Sequence, residues 1–178
     1  MLGWSPIRFG LASLVMPVTA MIGTSTAQAI ATKGGVRTVA VAAMALTGLG
    51  SLLLTQVSVG GSYLGDVFFA LVALGPGVGA AFVAGSIASL TGVAERDAGL
   101  ASGLNNAAFQ IGGAVGTAIL STVAVSHAHG AGPAALTHGY QAAFAAAIVV
   151  AALGTFVAGA LLGTRNTKPD AVAEPAVA

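Results

Sequence analysis

Five apolar runs succeed one another along the chain, at about residues 9–30, 38–57, 67–90, 101–125 and 141–162. Each has the roughly 20 residues that a helix rising 1.5 Å per residue needs to cross a hydrocarbon core. No run holds a charge in its interior. The breaks carry Lys33 and Arg37, then Asp66, then Glu95, Arg96 and Asp97, then His127, His129 and His138. The pattern predicts an all-α fold: a polytopic membrane bundle of five transmembrane helices over residues 1–163. Residues 164–178, with charge, two prolines and no apolar face, read as a disordered cytoplasmic tail. Strands are excluded because an open sheet edge in lipid leaves backbone groups unpaired, and the ten-residue alternation of a barrel is absent. The first run also has signal-peptide character, with TAQA as a tolerable cleavage site. Four further runs behind it favour a first spanning helix instead.

Composition sharpens this picture. The 178 residues are 56% hydrophobic and 6% charged, with a mean hydropathy of +0.94, where a soluble domain is about 25% charged. The 26 glycines fit membrane helices, in which they let backbones approach. A net charge of +1 offers no basic surface for nucleic acid, and the lack of cysteine removes disulfides and thiolate metal sites.

Orientation follows from the basic residues. With five crossings, Lys33, Arg37, Arg96, Arg165 and Lys168 share one side, against Arg8 on the other. The chain is therefore expected to be a multi-pass protein of the cell's inner (plasma) membrane, its N-terminus outside and its C-terminus cytoplasmic.

Candidate chemistry concentrates in the fourth run. Asn106, Gln110, Gly113, Thr117 and Ser121 recur at spacings of three and four and line one helix face. Gly99 with Gly103, and Gly112 with Gly116, form two small-xxx-small pairs. Amides facing lipid would lose their water partners, so this face looks toward other helices or a water-filled cavity. Asn106 and Gln110 either tie helices together or line a transport path.

Elsewhere the signals are structural. In GPGVG, Pro76 removes a backbone donor while Gly75, Gly77 and Gly79 remove bulk, which permits a bend or tight helix contact. Thr19, Thr24, Ser25 and Thr26 in the first run can bond back to their own helix. Lys33 and Arg37 flank two glycines at a membrane edge and read as a cytoplasmic loop anchor, with a conformational latch as the alternative for Arg37. Asp97 stands where it can cap the fourth helix. The three histidines lie in or beside a Gly/Ala-rich loop with no carboxylate near in sequence, so no metal is expected. No cofactor and no enzymatic activity are expected either, since no run holds an interior acid, HExxH, GxSxG or a phosphate-binding loop.

The stretch GVAERDAGLASGLNNAAFQIGGAVGTAIL, preceded by ALGPGVGAAFVAGSIASL, resembles the C-terminal part of a major facilitator superfamily permease of the fourteen-helix drug:proton antiporter group. The pattern A-G-x-A-S-G-L-x-N, then a glutamine and two glycines, falls on Ala98, Gly99, Ala101, Ser102, Gly103, Leu104 and Asn106, then Gln110, Gly112 and Gly113. GWSPIRFGLASLVMPVTAMIG resembles the entry to the tenth helix, GGVR a reduced loop motif, and THGYQAAFAAA the start of the last helix. The chain departs from the pattern at Phe109, where relatives often carry a polar or basic residue, and in the loop motif, which lacks its acid and full set of arginines.

The resemblance implies a part of a major facilitator fold, its last five spans, embedded in the lipid bilayer. It implies export of a small hydrophobic or cationic substrate, coupled to protons in the complete machine, with Asn106, Gln110 and Thr117 as substrate-cavity candidates. It also implies the missing N-terminal helices as partners, since the usual proton-carrying acids of such permeases lie there. The alternative expectation is a truncated or split-permease module without transport of its own.

Overall fold

A computed structural model describes residues 6–130 and 132–162. A short helix, α1 (Pro6–Ser13), leads into α2 (Val15–Leu54). A π-helical turn at Tyr63–Phe68 then opens α3 (Phe69–Leu90). A 3-10 turn at Glu95–Asp97 opens α4 (Ala98–His127), and α5 (Pro133–Leu161) follows. Four stretches are long and apolar enough to cross a membrane: Gly10–Leu54, Tyr63–Leu90, Glu95–His127 and Pro133–Ala160.

The first two expected spans correspond to the two helical arms of α2, which meet at a break with no loop between them. The break near Lys33 and Arg37 is not a loop but the single residue Gly35, at φ 79 and ψ 159 inside α2. Only glycine occupies such a conformation without steric cost, because a Cβ would meet the backbone. Each arm of α2 holds roughly 20 residues, about 30 Å of helix.

The arms flank α3 and run in opposite directions along it. On the first arm, Thr19 lies against Gly75 and Thr24 against Gly79; on the second, Leu74 lies against Gly50 and Thr47 against Gly77. The two arms converge toward the Gly35 end. There Ala27, Val39, Ala40, Ala43, Ala80, Val83 and Ala84 form the main buried cluster. α5 runs antiparallel to the second arm, with Ala151 facing Gly48 and Met44 facing Gly154.

The buried residues are small, so backbone proximity rather than interlocking of large side chains joins these helices. A methyl group on Gly77 would lie 2.8 Å from the Thr47 nitrogen, and one on Gly79 2.8 Å from Thr24 Oγ1. Gly75 meets the Thr19 hydroxyl and Gly23 the backbone of Pro76 in the same way. α3 runs unbroken through Pro76. Large apolar side chains instead point outward: Leu100 is 78% exposed, Val125 77% and Phe156 74%, which suits a surface solvated by acyl chains.

Other boundaries shift for local reasons. α5 begins at Pro133 rather than near residue 141, because proline is preset for the first helical position and Gly132 (φ 97) turns the chain into it. His138 is thus helical, not a loop residue. Ser62 caps the π turn by accepting from the Gly65 amide at 3.1 Å, and Asp66 Oδ2 accepts from the Ser58 amide and hydroxyl at 3.3 Å. Asp97 stands at the N-cap of α4 but makes no capping bond from its side chain, and with Glu95 and Arg96 it forms an exposed boundary. The expected tail, 164–178, lies outside the described residues.

Gly77→Leu is expected to lower the thermal unfolding temperature of the detergent-solubilised chain, at a cost of about 1–3 kcal/mol. Gly35→Ala is expected to cost about 1–3 kcal/mol through backbone strain. Gly34→Ala, whose methyl would find its nearest neighbour at 3.7 Å, is expected to cause no such loss.

Candidate functional site

The amide-bearing helix is the least enclosed of the four membrane-length stretches. Among the described elements α4 touches only α3, α5 and the 3-10 turn before it, and none of its residues is buried. Its half-buried positions include Ala101, Asn105, Gly116, Leu120, Val123 and Ala124, which mark the side turned to its neighbours. Asn106, Gln110, Gly113, Thr117 and Ser121 lie exposed elsewhere on its circumference.

Two contacts hold α4 against α3. Asn105 Nδ2 donates to Ser86 Oγ at 3.3 Å, and the rings of Phe82 and Phe109 meet edge to face, centroids 5.4 Å apart at 86°. Near the far end, Gly139 of α5 lies against the Ala124 carbonyl. The structure thus brings Asn105 to a partner and leaves Asn106, Gln110 and Thr117 on an open surface. One residue of helix turns a side chain by about 100°, which separates the fates of the adjacent asparagines.

The glycines divide in the same way. Gly75, Gly77 and Gly79 of α3 are buried at backbone contacts. Gly99, Gly103, Gly112, Gly113 and Gly116 of α4 have nothing within 4 Å of a built methyl.

The hydroxyls of the first arm are occupied locally. Thr19 donates to the Val15 carbonyl at 2.8 Å, Thr24 to Ala20 at 3.0 Å, Ser25 to Met21 at 3.0 Å and Thr26 to Ile22 at 2.8 Å. A shallow depression of about 330 Å³ lies over Pro17, Ala20, Met21, Thr24 and Ser25. Its lining is mainly apolar, since the Thr24 and Ser25 hydroxyls are bonded to their own helix.

The charged groups sit at helix ends. Lys33 and Arg37 are exposed on either side of Gly35, and Arg96 Nε pairs with Asp97 Oδ2 at 3.4 Å. No group of three or more potential ligands for a metal ion occurs among the described residues.

A sequence model of the Major Facilitator Superfamily matches residues 1–177. The chain belongs to the major facilitator superfamily. This superfamily chain is 31% identical over 182 residues to the puromycin resistance protein pur8 of Streptomyces alboniger. The alignment covers 95% of this chain and 36% of that protein. The chain thus spans about a third of the length of the curated relative it matches. Superfamily members are transporters rather than enzymes, and the four apolar helical stretches make this a multi-pass membrane protein.

The split between the adjacent asparagines can be measured. Asn105→Ala is expected to weaken docking of α4 on α3 by about 0.6 kcal/mol, the usual worth of an interhelical hydrogen bond in a membrane. Asn106→Ala in the same isolated chain is expected to leave it unchanged. Disulfide trapping between cysteines introduced at Phe82 and Phe109 reads the difference.

Proposed function

We propose that this chain supplies the last five membrane crossings of a fourteen-helix drug:proton antiporter of the plasma membrane. In this reading each arm of α2 crosses once, and α3, α4 and α5 add three crossings. The chain begins outside and ends in the cytoplasm, as its basic residues direct. The complete permease exports a small hydrophobic or cationic compound while protons flow inward.

The observation that carries this reading is the open amide face of α4. α3 and α5 cover one side of the helix, while Asn106, Gln110 and Thr117 remain exposed. Hydrocarbon offers an amide no hydrogen bond, so this face calls for further helices or a water-filled path. The resemblance to a puromycin resistance protein nearly three times as long supports both. Asn106, Gln110 and Thr117 then present polar groups to a substrate near the midplane. Gly112, Gly113 and Gly116 let the facing helix slide close during alternating access.

A second reading, a split or truncated module with no transport of its own, is favoured by one feature. None of the apolar runs contains an aspartate or glutamate, so the chain has no acid within the hydrocarbon to carry a proton.

Asn106→Ala and Gln110→Ala, made in an intact permease carrying these helices, are each expected to reduce drug efflux by about tenfold, the equivalent of ~1.4 kcal/mol. Protein level and fold should be retained. Unchanged efflux and substrate range overturn the cavity-lining role. Proteoliposomes holding this polypeptide alone are expected to show no drug-dependent proton flux, and co-reconstitution with the preceding helices of such a permease is expected to restore it.

A further inference from the structure

An apolar groove of about 150 Å³ opens beside the buried cluster, lined by Ala40 and Met44 of α2, Ala81, Ala84, Gly85 and Ala88 of α3, and Ala158 and Leu162 of α5. Gly85 is exposed within it, and a methyl group there would meet nothing within 4 Å. An apolar groove of this size has room for about six carbons of a chain. The groove belongs to the end of the bundle where α2 folds back at Gly35 and where α3 and α5 terminate.

Two cations stand at that end. Arg37 precedes Ala40 by three residues and Met44 by seven, so all three share one stripe of the second arm, with Arg37 about 4.5 Å further toward the edge. Lys33 lies two residues before Gly35. Both are exposed, and neither has an ion pair among the described residues. On the α3–α4 connection at the same edge, Asp97 is paired with Arg96 at 3.4 Å and Glu95 is an exposed acid.

A positive rim above an apolar slot matches one molecule of the surrounding solvent. We propose that the groove seats an anionic phospholipid, its phosphate at Lys33 and Arg37 and part of one acyl chain along Ala40, Met44, Ala84 and Gly85. The inference rests on the membrane-spanning reading but not on drug export. The lipid covers small-residue surface that no side chain of the described chain fills. Its headgroup supplies a counter-charge at the glycine hinge between the two arms. Hinge geometry thereby becomes dependent on the composition of the leaflet.

The test uses the full chain in phosphatidylcholine vesicles with a trace of spin-labelled phosphatidylglycerol or phosphatidylcholine. The expected result is preferential immobilisation of phosphatidylglycerol, with the preference falling about fivefold for each of Lys33→Gln and Arg37→Gln. Gly85→Leu, whose Cβ meets nothing within 4 Å and whose side chain adds bulk at the groove, is expected to displace the immobilised phosphatidylglycerol, while Gly103→Leu on α4 leaves it in place. Equal association of the two lipids overturns the proposal, as does a preference that survives the double substitution Lys33→Gln/Arg37→Gln. Displacement by inorganic phosphate would make the rim a free-phosphate site instead. Increased association on removing residues 163–178 would make that segment the occupant. Failure to immobilise either lipid would instead contradict the membrane-spanning reading.

Discussion

Inside hydrocarbon, two helices gain nothing by hiding apolar surface from each other, because lipid tails are as apolar as leucine. Their association depends on how closely the backbones approach. In this chain that approach is made by α3, whose Gly75, Gly77 and Gly79 lie alternately against the two arms of α2. Everything else is arranged around this three-rod unit. The alanine cluster fills its Gly35 end, α5 lays Gly154 against Met44, and the bulky residues are turned outward to lipid.

The same constraint explains why the hydroxyls and the amides behave differently. A threonine or serine can satisfy itself on the carbonyl one turn back, as Thr19, Thr24, Thr26, Thr47 and Thr155 all do. An asparagine or glutamine with two amide protons needs partners beyond its own helix. Asn105 finds Ser86, and Gln141 Nε2 finds the Val57 carbonyl at 2.8 Å. Asn106 and Gln110 have exposed positions on an adjoining flank of α4. Their need for a partner is the chain's clearest chemical statement about what lies beyond it.

Hydropathy made the apolar helical stretches legible, because about 20 uncharged apolar residues have few alternatives to a spanning helix. The GPGVG segment was legible as a contact or a bend, and the hydroxyls as locally bonded groups. Connections were harder to read. Gly34 and Gly35 resemble a loop, yet one residue with a positive φ, Gly35, breaks the helix and reverses the chain with no loop between the two arms. HAHGAGPAALTHG is rich in loop residues, yet Pro133 starts α5 at once and its alanines carry the helix onward. Tertiary pairing was not legible at all. Nothing in the spacing of Asn105 distinguishes it from Asn106, and only the position of Ser86 on α3 decides which of them is bonded. The groove at Gly85 was hidden for the same reason, since three separate helices contribute its walls.

Glycine supplies the last step. A glycine in a helix interior costs roughly 0.5–1 kcal/mol relative to alanine, and that cost is offset only where the missing side chain lets something come close. On α3 the offset is visible, because every glycine of GPGVG touches another backbone or a hydroxyl. On α4 it is not: the exposed Gly99, Gly103, Gly112 and Gly113 carry the same entropic cost with nothing among the described residues within 4 Å of a built methyl. Four such residues in one helix, interleaved with an exposed amide face, make poor sense as lipid-facing surface. They make good sense as the seat of another helix packed at backbone distance, the role that the proposed permease assigns to crossings outside these residues.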